Sequence, residues 1–78
     1  MRFLAADIYR YLEEAGCTYE GDRIPNGEAW LTPSFQVFFL PDPDLIDGVH
    51  WFEAEVITDN LKDRWVGFEI PASLKRYP

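Results

Sequence analysis

The chain has 78 residues, 14 Asp and Glu against seven Lys and Arg, a net charge of −7 and a single cysteine, Cys17. One domain over residues 1–78 is expected at this length, and one cysteine excludes an internal disulfide and a cysteine-rich zinc site. The acidity disfavours direct contact with nucleic acid or an anionic membrane, because affinity for phosphate rests on Lys and Arg displacing counterions. Six phenylalanines, four tyrosines and three tryptophans supply the core instead, each able to bury roughly 150–250 Å².

Along the chain, residues 3–15 read as an amphipathic helix. Leu4, Ile8, Tyr11, Leu12 and Ala15 recur at three- and four-residue steps, and Asp7, Arg10, Glu13 and Glu14 fall opposite. Gly16 follows as its C-terminal cap. Cys17–Glu20 is read as a short strand, Pro25-Asn26-Gly27 as a turn, and Glu28–Thr32 as a strand centred on Trp30 and Leu31. Ser34–Leu40 is apolar on nearly both faces, which predicts the middle strand of the sheet, with Phe38 in the core. Asp42-Pro43 is shaped like an N-cap and first position of a helical turn ending at Gly48. A strand over 49–58 comes next, then a hairpin connection at 59–63 and a last strand over Arg64–Ile70 before Pro71.

The expected fold is therefore α+β, one N-terminal amphipathic helix on an antiparallel sheet of about four strands. In the strand over 49–58, Phe52, Ala54 and Val56 point inward, and Val66, Phe68 and Ile70 do so in the next. The opposite, open face carries Trp51, Glu53, Glu55, Trp65 and Glu69. No lysine or arginine occurs between Arg23 and Lys62, whereas Glu28, Asp42, Asp44, Asp47, Glu53, Glu55 and Asp59 all fall there. Like charges on paired strands cost some tenths of a kcal/mol, so this segregation is more than the fold requires. Exposed tryptophans beside it fit a binding surface; packing of Trp51 and Trp65 against each other or under the C-terminal tail accounts for them equally.

No catalytic motif emerges. His50 and Cys17 are the only residues of their types, and neither has an orienting partner or oxyanion motif nearby, so Cys17 is read as a small buried hydrophobe and His50 as a polar residue at a strand start. Glu53 and Glu55 have no pocket wall for acid–base work. The segment Asp42–Glu53 has the length of a calcium loop, but Ile46 and Asp47 stand where an oxygen ligand and a glycine are needed. Only weak divalent binding by Asp42, Asp44 and Asp47 is compatible with it. There is no phosphate loop, dinucleotide fingerprint or other cofactor signature, and the protein is not expected to be an enzyme.

The acidic run from Asp42 to Asp59, joined by Glu69, sits in a small aromatic-rich chain without catalytic motif. In these features it resembles the small phage-encoded inhibitors of bacterial defence, including anti-CRISPR proteins, several of which are DNA mimics. The resemblance implies a partner with a positively charged nucleic-acid-binding surface, such as a CRISPR effector subunit, contacted through Asp42, Asp44, Asp47, Trp51, Glu53, Glu55, Trp65 and Glu69. The alternatives are a self-associating interaction domain and the antitoxin-like partner of a basic toxin. A monomer or weak homodimer, without membrane contact, is expected. With Met1 at its start and its first apolar segment broken by Asp7 and Arg10, the chain reads as complete and cytoplasmic, in the host cell if phage-encoded.

Overall fold

Residues 1–21, 24–64 and 69–77 are described by a computed structural model of the chain. The amphipathic N-terminal segment divides into a strand, β1 (Arg2–Leu4), and a helix, α1 (Ala5–Glu14). Ile8 and Leu12 of α1 are fully buried, as their spacing predicts. Its end is a Schellman turn: Gly16 N–H donates to Glu13 C=O, and Cys17 N–H donates to Leu12 C=O at 2.9 Å. Gly16 has φ +87°, and a Cβ there would lie 3.0 Å from Pro33 Cγ, so glycine satisfies both the backbone and its neighbour.

Strands β2 (Thr18–Gly21), β3 (Gly27–Leu31) and β4 (Val37–Pro41) form one antiparallel sheet in the order β2-β3-β4. A bulge between Tyr19 and Gly21 shifts the first register, and the second pairs Trp30 with Phe38 and Ala29 with Phe39. The middle strand is thus β3, which corrects the assignment of Ser34–Leu40. An apolar run marks cover on both faces but not a neighbour on both edges; β4 obtains its cover from a second helix.

The second sheet, β1-β6-β5, contains β5 (Asp44–Ile46) and β6 (Val49–Glu53). The expected helical turn over Asp42–Gly48 is a hairpin. Asp47 and Gly48 both have positive φ, 51° and 78°, the two-residue loop whose twist matches paired strands. Its Asp-Gly signature overrides the Asp-Pro capping signal. On the other side of β1, the C-terminal tail pairs with the strand: Leu4 N–H donates to Lys75 C=O and Tyr77 N–H to Arg2 C=O, both at 3.0 Å.

The largest correction concerns residues 49–64. The strand ends at Glu53, and Ala54–Arg64 is a helix, α2. Ile57 and Leu61, one helical turn apart, are both fully buried against the first sheet and β6. Glu55 in the first turn suits the positive end of the helix. The predicted hairpin at 59–63 lies inside α2. Of the predicted last strand, Arg64 ends α2, Trp65, Val66 and Phe68 lie outside the described residues, and Glu69 and Ile70 belong to no strand.

The protein is α+β, and the described residues form two helices and six strands in two three-stranded sheets instead of one helix on four strands. A single core joins them: Phe3, Ile8 and Leu12 meet Trp30, Phe38 and Leu40 from the first sheet, Phe52 from β6, and Ile57 and Leu61 from α2. Among the described residues no helix is long and apolar enough to cross a membrane.

Candidate functional site

The residues expected on one open sheet face are dispersed. Trp51 is buried, because the tail crosses it and Tyr77 packs edge-on at 5.2 Å between ring centroids. Of the two placements open for Trp51, the exposed face is thus corrected and packing under the C-terminal tail, which pairs with β1, is the one found. Glu55 sits on α2, Glu69 is exposed outside any strand, and Trp65 lies outside the described residues. Asp44 and Glu53 are partly neutralised: Arg2 Nε lies 3.3 Å from Asp44 Oδ2 and 3.8 Å from Glu53 Oε2. Among the described residues Asp42, Asp44 and Asp47 do not converge with others as a metal-ligand group.

Glu53 also accepts from the Met1 ammonium at 2.8 Å. That hydrogen bond, with the Met1 and Arg2 charges, holds its carboxyl below the usual range. A depressed folded pKa contributes stability that is present above the unfolded value, about 4.3, and is lost as pH falls through the folded value. Glu53→Gln is therefore expected to lower Tm at neutral pH, with the difference from wild type vanishing well below the ordinary carboxylate range. Thermal unfolding across acidic pH checks this, and a constant difference at every pH would contradict it.

A concave site does exist, beside the N-terminal part of β6. A cleft of ≈ 730 Å³ lies between the start of α1 and the β5–β6 hairpin, with Ala5, Ala6, Tyr9, Glu28, Asp42 and His50 among its lining residues. A smaller recess of ≈ 340 Å³ shares Tyr9 and Glu28 with it and adds Glu13, Tyr19 and Trp30. Helix α1 brings Tyr9 over the sheets, where its ring stacks on Trp30 at 5.9 Å and meets Phe52 edge-on at 5.4 Å. Strand β3 supplies Glu28. Both of its oxygens are held: Tyr9 Oη donates to Oε2 and Trp30 Nε1 donates to Oε1 at 3.1 Å.

This arrangement fixes a half-buried carboxylate. Burial first, then the hydrogen bond to Glu28 and the charges of Glu28 and Asp42, push the Tyr9 hydroxyl well above its ordinary pKa, so it remains a neutral donor. Each Glu28 oxygen keeps a further lone pair for a ligand. Among the described residues no lysine or arginine is ion-paired with Glu28, Asp42 or Glu13. Cys17 is buried in the core and its thiol is pushed up by that burial, whereas His50 is exposed at the cleft.

The sequence points to Asp42 but to no site role for Tyr9, Glu28 or His50. The available signal was weak: Tyr9 stands beside the apolar stripe of α1, and Glu28 lies in the cation-free gap. A further exposed aromatic is Phe35, 84% exposed at the β3–β4 hairpin tip with φ +63°. That tip is braced by Thr32, which accepts from Gln36 N–H through Oγ1 and lies 3.0 Å from Ser34 Oγ.

Compared with protein families, curated proteins and solved structures, the chain matches none.

Proposed function

We propose that this is an acidic binding protein that covers a positively charged, nucleic-acid-binding surface of a partner protein and so inhibits it. The reading is supported by one observation above all: among the described residues Arg2, Arg10 and Arg76 are engaged within the molecule, whereas five exposed carboxylates carry no ion pair. Arg2 serves Asp44 and Glu53, Arg10 serves Asp7 at 2.8 Å, and Arg76 lies over the Phe3 ring. Asp42, Asp47, Glu55, Asp59 and Glu69 are exposed and, among the described residues, carry no ion pair. Such a field attracts basic surfaces over a Debye length, about 8–10 Å at moderate salt, and desolvated charge pairs add specificity at contact. The resemblance to phage-encoded inhibitors makes a CRISPR effector subunit the first partner to test.

The test uses wild type and an Asp42→Asn/Asp47→Asn/Glu55→Gln variant as matched baits in bacterial lysate. All three residues are exposed and carry no ion pair among the described residues, so the variant should fold. Wild type is expected to retain a nucleic-acid-binding protein that is released by duplex DNA and by raised salt, and the variant to retain much less. Equal capture by both baits, or capture indifferent to DNA, would overturn the reading.

A further inference from the structure

The cleft beside α1 combines features that a merely acidic surface lacks. It is concave, its lining is apolar at Ala5, Ala6, Pro43 and Val49, and it includes two carboxylates, Glu28 and Asp42, whose charges both act on the Tyr9 hydroxyl. Glu28 is pre-oriented by two donors from different elements and is not ion-paired with any described cation. A side chain that enters this space beside the apolar lining and reaches the carboxylates needs an aliphatic stem and a cationic head. The head must give several hydrogen bonds in different directions and tolerate an aromatic face. Among side chains the planar guanidinium does so, donating to two carboxylates while stacking on a ring; an ammonium is a compact, strongly hydrated point charge.

We infer that this cleft receives an arginine side chain of the partner protein, with the guanidinium between Glu28 and Asp42 and its stem along α1. The inference rests on the partner reading above and names the contact within it. Charge complementarity selects the occupant. A second copy of this chain is disfavoured, because at a net charge of −7 self-association through acidic rims brings like charges together.

The experiment titrates the ¹⁵N-labelled protein with three blocked tripeptides, Gly-Arg-Gly, Gly-Lys-Gly and Gly-citrulline-Gly, followed by amide and indole shifts. The arginine peptide is expected to give saturable shifts at Ala5, Ala6, Gly48, Val49 and the Trp30 indole N–H. The lysine peptide should bind about tenfold more weakly, and the citrulline peptide, isosteric but uncharged, should give no saturable shift. Asp42→Asn should weaken arginine binding by about tenfold without changing the remaining spectrum, because its backbone N–H to Asn26 C=O bond of 2.8 Å survives. No saturable shift with arginine, equal binding of lysine or citrulline, or shifts centred away from the cleft would overturn the inference. The two readings fail separately. A DNA-releasable partner captured by wild type with no arginine-peptide binding leaves the inhibitor reading and removes the arginine site. Arginine-specific shifts without such a partner do the reverse.

Discussion

Replacing Phe38 with alanine is expected to lower stability by about 3–5 kcal/mol, the range for deleting a buried aromatic side chain. Phe38 is 1% exposed, pairs with Trp30 across the first sheet and sits where α2 packs on β4. The surroundings are two sheets and a helix, none free to collapse into the space, so the cavity cost should approach its upper range. Domains of this size are stable by roughly 4–12 kcal/mol, and the loss is a large share of that. Denaturant unfolding followed by tryptophan fluorescence reads it directly. A loss under about 1 kcal/mol would place Phe38 outside the core.

The second large effect concerns α2. Leu61→Ala should cost about 2–5 kcal/mol, because Leu61 is fully buried, whereas Val56→Ala at a half-buried position should cost distinctly less. Asp59→Pro adds a test of conformation. Asp59 is exposed in the interior of α2, where proline removes an amide donor and clashes with the preceding turn, at about 3 kcal/mol or more. If residues 54–64 were the strand and hairpin that alternation suggests, Val56 would be the sensitive position and proline at 59 would be tolerated in the turn. Comparing the three variants by denaturant midpoint decides between the arrangements.

The segment around α2 shows why pattern alone misleads here. Phe52, Ala54 and Val56 alternate as a strand would, and Val56, Ile57 and Thr58 are β-branched. That run straddles the boundary between β6 and α2, so the period of two is partly accidental. The competing spacing, Ile57 to Leu61, spans only one turn. What selects helix is the cover that β4 and β6 give to one apolar helical stripe, Ile57 and Leu61. Local propensity differences of a few tenths of a kcal/mol per residue yield to burial worth roughly 1.5–3 kcal/mol per large apolar side chain.

The candidate site follows the same division. Asp42 was visible as part of an acidic run, but Glu28 gains its role from Tyr9 and Trp30, 19 residues and two residues away in sequence. Trp51, by contrast, loses its exposure to Tyr77 at the far end of the chain. Asp7 had read as a solvent-facing helix residue. It accepts from Lys75 N–H at 3.0 Å and from Arg10 at 2.8 Å, fastening the tail that covers Trp51.

By itself the sequence determined the α+β class, the buried stripe of α1 with its Gly16 cap, the turn at Pro25-Asn26 ahead of Gly27, the core position of Phe38 and the segregation of charge. These follow from period, turn chemistry and composition, which act within a few residues or over the chain as a sum. Tertiary structure alone decided the division into two sheets, the helix over Ala54–Arg64, the roof over Trp51 and the meeting of Tyr9, Glu28 and Asp42 at one cleft. Each of these depends on which distant segment supplies cover, and burial against that segment outweighs the local preferences that a linear pattern records.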